Sequence, residues 1–75
     1  MMKLKDLKNS EKIREMTVDA LETESREVTE HLMKLRFQLT SGQIEDPNII
    51  KAYRRGLARV KTVLAEKQKA AESNP

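Results

Sequence analysis

The stretch that decides the fold is Thr40-Ser41-Gly42-Gln43-Ile44-Glu45-Asp46-Pro47, the strongest break in a chain with only two glycines and two prolines. Gly42 suits the left-handed backbone position that follows the end of a helix. Asp46 followed by Pro47 is typical of a helix start, because a carboxylate caps free N–H groups and proline lacks one. We therefore predict that one helix ends before this stretch and another begins within it.

Apolar residues on both sides of the break recur in alternating steps of three and four. Before the break, with one polar exception, the series is Val18, Leu21, Ser25, Val28, Leu32, Leu35 and Leu39. After it, with one charged exception, the series is Ile50, Tyr53, Leu57, Val60, Leu64, Lys67 and Ala71. Such spacing places each series on one stripe of a helix, as in a coiled-coil seam. The short connection then makes the two helices antiparallel, with Leu32 near Leu57 and Val28 near Val60.

These patterns predict an all-α fold, namely a long, coiled-coil-like antiparallel two-helix hairpin with a short N-terminal helical segment. We expect a single domain over residues 1–75. Its parts are an N-terminal segment (1–16), a first helix (17–40), a loop (41–46), a second helix (47–69) and a frayed tail (70–75). Thr17 is expected to cap the first helix. Because two stripes bury little apolar surface, we also expect a partner to complete the structure.

The composition excludes several classes of protein. The chain has no Cys and a single His, His31, so neither a disulfide framework nor a His/Cys metal site is expected, and no cofactor. A chain of 75 residues leaves little room for a catalytic cleft, and no nucleophile–base pair occurs, so we do not expect an enzyme. No apolar run approaches the roughly 20 residues of a membrane span, and the N-terminus does not resemble a secretory signal. We expect a cytoplasmic protein.

The formal charge of +3 hides an uneven distribution. Residues 18–30 hold five acids and one base, whereas residues 47–69 hold seven bases and one acid. The hairpin is expected to gather six bases near the loop: Lys34, Arg36, Lys51, Arg54, Arg55 and Arg59. Guanidinium groups match phosphate geometry, and the shortage of aromatic residues argues against base stacking. The pattern favours contacts to the phosphates of folded RNA, although charge alone also fits DNA or an ordinary solvated helix face.

Two further residues, Gly56 and Phe37, each allow more than one interpretation. Gly56 in the second helix is either tolerated variation or a sign of close approach by RNA or another backbone. Phe37, with Met33 one turn before it, either broadens the core, covers the loop or docks a neighbour. His31 is expected to be an exposed helix residue.

The sequence K-L-R-F-Q-L-T-S-G-Q-I-E-D-P of residues 34–47, with Y-R-R-G-L-A-R-V-K-T-V-L of residues 53–64, resembles ribosomal protein twenty-nine of the bacterial type, in the universal L29 family. The resemblance implies a structural, ribosomal-RNA-binding protein of the large ribosomal subunit, near the polypeptide exit tunnel. It also implies ribosomal protein twenty-three as a neighbour, and nascent-chain factors such as trigger factor or the signal recognition particle as further partners.

The motif and the charge pattern together give the predicted RNA-binding residues. They are Lys34, Arg36, Gln38, Gln43, Lys51, Arg54, Arg55, Arg59, Lys61 and Thr62. Gly42, Asp46 and Pro47 are predicted to shape the hairpin loop. Gly56 departs from the family, which commonly carries a polar, better helix former there. The alternative function is a helical coiled-coil interaction module or adaptor that is not bound to RNA.

Overall fold

A computed structural model describes residues 1–44 and 46–72 of the chain. Four α-helices follow one another in this part: α1 (Leu4–Leu7), α2 (Ser10–Glu15), α3 (Val18–Thr40) and α4 (Asn48–Glu72). Helices α3 and α4 pack together as the hairpin, and α1 and α2 both pack on α4. The molecule is elongated, 52 × 18 × 15 Å. The predicted all-α hairpin with an N-terminal helical segment is confirmed, and that segment contains two short helices.

The turn after α3 depends on the backbone conformation of Gly42. Gly42 has a φ of 81°, the left-handed conformation predicted for it. Its N–H donates to the carbonyl of Leu39 at 3.2 Å, and the N–H of Gln43 donates to the carbonyl of Gln38 at 2.8 Å. These two bonds form a Schellman motif, which satisfies carbonyl groups that the helix end leaves free.

Each long helix begins with a capping side chain. The Oγ1 of Thr17 accepts the N–H of Ala20 at 3.2 Å at the start of α3. The Oδ1 of Asp46 accepts the N–H of Asn48 at 2.9 Å at the start of α4. Both caps that the sequence predicted therefore form, and Pro47 lies between the second cap and the first assigned residue of α4.

Helix α4 continues through Glu72, past residue 69 where the sequence placed its end. Alanine at residues 70 and 71 favours this continuation, since it is the best helix former. The rest of the predicted tail, residues 73–75, lies outside the described residues. In the described part of the chain, each helix is too short or too polar to cross a membrane.

The apolar core lies between the hairpin and the N-terminal helices. Its buried members are Leu7, Ile13, Leu21, Val28, Leu32, Leu35, Ile50, Val60 and Val63. Most of them belong to the two heptad series. Leu7, Ile13 and Val63 do not, and they show that the N-terminal segment packs against a second face of α4.

The two polar residues that interrupt the heptad series, Ser25 and Lys67, differ in what they contribute to the packing of the N-terminal segment. Ser25 is half-buried, and the neighbouring Glu24 is the side chain that α3 buries instead. An oxygen of Glu24 accepts the backbone N–H of Met2. Lys67 is half-buried, and its Nζ donates to the backbone carbonyl of Met16. Glu24 and Lys67 thus hold the N-terminal segment against the hairpin by satisfying its backbone groups.

Contacts across the hairpin confirm its antiparallel register. Gln68 Nε2 donates to Glu22 Oε1 at 3.2 Å, which joins the end of α4 to the beginning of α3. Nearer the loop, the rings of His31 and Tyr53 meet edge to face with their centroids 4.7 Å apart. His31 is half-buried. The expectation of an exposed His31 was therefore wrong, because the antiparallel register places Tyr53 beside it.

Gly56 lies where the N-terminal segment crosses α4. A Cβ atom at this position would lie 3.0 Å from the Cβ of Leu7 and 3.2 Å from its Cδ1. Leu7 is itself fully buried. The neighbour that approaches Gly56 is thus a side chain of this chain, and neither RNA nor another backbone needs to explain the glycine.

Replacing Gly56 by Met should displace the N-terminal segment while the hairpin stays folded. A long side chain would occupy the space of Leu7, whose burial is worth about 1.5–3 kcal/mol. We expect amide hydrogen exchange in residues 4–15 to become faster by about tenfold or more, with a much smaller change in α3. Ala65→Met, at an exposed position of the same helix, is the matched control. Unchanged exchange in residues 4–15 would contradict the packing described here.

Candidate nucleic-acid interface

The solvent-facing arc of α4 carries a concentration of bases. Because α4 packs against α3 on one face and against α1 and α2 on another, only this arc is left to solvent. Its bases are exposed, except for the half-buried Arg59. Together with an exposed arginine of α3, the bases of this arc between residues 51 and 61 form what we call the basic surface. Its members are Arg36, Lys51, Arg54, Arg55, Arg59 and Lys61, whereas Lys69 lies further along α4.

One concave part of the basic surface lies between α3 and α4. This hairpin groove has a volume of about 320 Å³ and is lined by Thr29, Leu32, Met33, Arg36, Arg54, Leu57, Ala58 and Lys61. Three of these residues are bases, and they come from both helices. The antiparallel packing therefore fixes the spacing between cations that belong to different parts of the chain. A rigid array of this kind suits the regularly spaced phosphates of a nucleic acid.

Ala58 leaves open space at the centre of the exposed arc. It lines the hairpin groove and also a second groove of about 300 Å³ with Lys51, Arg54 and Arg55. A third groove of about 220 Å³ places it beside Thr62. A small side chain at this position lets a phosphate backbone come close to the helix, where the surrounding bases can reach it.

Carboxylates of the described residues do not neutralise the basic surface. The ion pairs in residues 1–44 and 46–72 are the Met1 amino group with Glu27 at 2.9 Å, Lys12 with Asp6 at 2.8 Å, and Arg14 with Glu66 at 3.9 Å. Each of them involves the N-terminal segment, and none involves a base of the basic surface. The positive potential of that surface is therefore available to an anionic partner.

The resolved pKa shifts arise from two of these ion pairs. The hydrogen bond from Lys12 lowers the pKa of the Asp6 carboxyl, and the same bond raises the pKa of Lys12. The hydrogen bond to Glu27 raises the pKa of the Met1 amino group. Such shifts are typical of exposed structural pairs. Within the described residues, no group of three or more His, Asp or Glu side chains is placed to hold a metal ion.

The structure separates Lys34 from the other predicted bases. Lys34 and Arg36 are two positions apart on α3, so their side chains leave the helix about 200° apart in rotation. Arg36 lines the hairpin groove with Arg54, whereas Lys34 is exposed and lines none of the grooves described above. Both residues were expected beside the second helix, and Arg36 is the one that lines a groove with residues of α4.

The predicted polar residues Gln38, Gln43 and Thr62 differ in which hydrogen-bonding groups they can offer to a phosphate. The hydroxyl of Thr62 donates to the carbonyl of Ala58 at 2.8 Å, so its proton is not available to a phosphate. The main-chain groups of Gln38 and Gln43 are used in the turn, while the Gln43 side chain is exposed at the end of the hairpin. The structure thus favours the charged residues over Thr62 as phosphate contacts.

Two bases that line grooves on α4 were not predicted from the sequence. Lys8 lines a groove beside Arg55 and Arg59, and Arg14 lines another with Arg59. Both come from the N-terminal segment, whose packing on α4 the heptad pattern did not reveal. Gly56 was the available signal, since a glycine inside a helix often marks the close approach of another element.

Comparisons with known proteins agree with the hairpin and its charge pattern. The ribosomal L29 protein family matches residues 11–67, which include the whole basic surface. The chain is 48% identical over 59 residues to large ribosomal subunit protein uL29 of Natranaerobius thermophilus, covering 79% of this chain and 91% of that relative. It is 45% identical over 56 residues to uL29 of Bacillus mycoides, covering 75% and 85% respectively. No solved structure matches the chain significantly.

The position of a base on α3 should decide its contribution to polyanion binding. We expect Arg36→Gln to lower the salt concentration that elutes the chain from immobilised heparin by more than Lys34→Gln does. Both variants remove one positive charge from the same helix, but only Arg36 lines the hairpin groove. An equal decrease for the two variants would mean that net charge, rather than the shape of the basic surface, controls binding.

Proposed function

Since this chain belongs to the ribosomal L29 protein family, and is thus a structural component of the large ribosomal subunit, we propose that it binds the ribosomal RNA of that subunit through its basic surface. The observation that carries the proposal is the array of six bases on two packed helices, which the carboxylates of the described residues leave unpaired. The family consists of structural ribosomal proteins and not of enzymes.

The basic surface suits the RNA backbone better than its bases. Four of its six members are arginines, whose planar guanidinium groups can form two hydrogen bonds to one phosphate. The ring of Tyr53 is half-buried against His31 and is therefore poorly placed to stack on a base. Recognition then depends on the spacing of phosphates along a folded RNA, and that spacing is matched by the packing of α3 against α4.

A second surface of α3 supports protein neighbours in the subunit. Met33 and Phe37 are one turn apart, and their side chains are 67% and 71% exposed. Exposed apolar side chains so close together are typical of a protein contact. We assign this contact to ribosomal protein twenty-three near the polypeptide exit tunnel, where nascent-chain factors such as trigger factor or the signal recognition particle would also bind.

Replacing Arg54, Arg55 and Arg59 by Ala in one variant should weaken the binding of large-subunit ribosomal RNA by about 3- to 150-fold. Each exposed charge contact contributes about 0.2–1 kcal/mol, and three are removed. The slope of log affinity against log salt should become shallower by about 2 to 3, since each phosphate contact contributes about 0.7–0.9. Filter binding over a series of salt concentrations measures both quantities.

The matched control for this triple variant removes three other exposed bases, Lys3, Lys5 and Lys69, by substitution with Ala. It lowers the net charge by the same amount but leaves the basic surface intact. An equal loss of RNA affinity in the two variants would contradict the assignment of RNA binding to the basic surface. If the unaltered chain formed a small oligomer and did not bind RNA, the alternative of a coiled-coil interaction module would hold instead.

The variant Phe37→Ser should keep its affinity for RNA but lose its crosslinks to ribosomal protein twenty-three in reconstituted large subunits. Phe37 is exposed and lines none of the grooves that hold the bases, so the substitution removes a contact surface without opening the core or altering the basic surface. Crosslinking with mass spectrometry provides the measurement. Undiminished crosslinks would place ribosomal protein twenty-three against another face of the hairpin.

A further inference from the structure

The N-terminal segment and α4 enclose a groove whose charged lining is entirely basic. This N-terminal groove has a volume of about 460 Å³ and is lined by Lys8, Asn48, Lys51, Ala52, Arg55 and Arg59. No carboxylate is among the lining residues. Lys8 is the only one that comes from outside α4, and the position after α1 brings it to the groove.

The backbone around Lys8 is held in place by packing and hydrogen bonds. The preceding residue, Leu7, is fully buried in contact distance of Gly56. The N–H of Lys8 donates to the carbonyl of Leu4 at 3.2 Å, which closes α1. Because the main chain is held on both counts, the Lys8 side chain begins at a fixed point beside α4 and can reach into the groove that it lines.

Other bases of the N-terminal segment have acidic partners. Lys12 pairs with Asp6, and Arg14 lies 3.9 Å from Glu66. Lys8 has no carboxylate within ion-pair distance among the described residues. It is exposed, and it lines a groove that already holds three bases of α4. Four like charges around one groove repel one another unless an anion lies between them.

We propose that the N-terminal groove binds a phosphate of the large-subunit ribosomal RNA, with Lys8 as a binding residue in addition to the bases of the hairpin. The proposal rests on the proposed function and extends its surface from the hairpin onto the N-terminal segment. Charge complementarity identifies the occupant, since a phosphate group can accept hydrogen bonds from Lys8, Arg55 and the Asn48 amide together. Ala52 leaves room for the sugar–phosphate backbone at the wall of the groove.

The direct test compares Lys8→Gln with Lys3→Gln in binding to large-subunit ribosomal RNA over a series of salt concentrations. Both lysines are exposed and lie in the N-terminal segment, but Lys3 does not line the groove. We expect Lys8→Gln to weaken binding by about two- to fivefold and to make the salt slope shallower by about 0.7–0.9. Lys3→Gln should change neither value measurably.

The outcomes separate this proposal from the proposed function. If the unaltered chain binds RNA and the triple arginine variant binds it more weakly, but Lys8→Gln behaves as Lys3→Gln does, the N-terminal groove is not a phosphate site. The role of the hairpin surface then stands. If the unaltered chain itself shows no salt-dependent RNA binding, the proposed function fails and this proposal fails with it.

A double variant tests whether the docking of the N-terminal segment creates the site. In a Gly56→Met background, where Leu7 is displaced, the further substitution Lys8→Gln should have no additional effect on RNA affinity. If the effects of the two substitutions were additive, Lys8 would contact RNA without the groove, and the site would not be the one proposed.

Discussion

Helix α4 buries two faces at once, and the rest of the structure depends on this constraint. Val60 packs in the heptad seam with α3, while Gly56 and Val63 lie on the side that meets the N-terminal helices. Only one arc of the helix is then left to solvent. The bases of α4 must share that arc, so a modest net charge of +3 becomes a locally strong positive surface. The packing of apolar side chains thus sets the electrostatics of the protein.

Local signals and helix periodicity predicted the hairpin because they act over short distances. Gly42 permits a backbone conformation that other residues adopt only with strain, and Asp46 and Thr17 offer oxygen atoms to free N–H groups. The exchange of Ser25 for Glu24 as the buried polar residue could not be predicted in this way. It depends on a backbone N–H of Met2, which is distant in the sequence and becomes a neighbour only after folding.

The same contrast between short-range signals and long-range contacts explains which residues of the candidate site could be predicted from the sequence. The arginines of α4 lie on one helix, so a charge count along the sequence was sufficient to find them. Lys34 was grouped with Arg36 because both lie level with Arg54 and Arg55 in the hairpin register, a grouping that leaves out rotation around the helix. Lys8 was missed because its approach to α4 requires Leu7 to pack on Gly56, a contact between residues far apart in the chain.

The contact between Leu7 and Gly56 also has a consequence for the order of folding. Helices α3 and α4 are joined by a short connection, so the hairpin can close with a small loss of chain entropy. Leu7 must instead find a partner 49 positions later in the chain, on a surface that exists only once α4 has formed. We therefore expect the hairpin to fold early and the N-terminal segment to dock last, on a helix that has already formed.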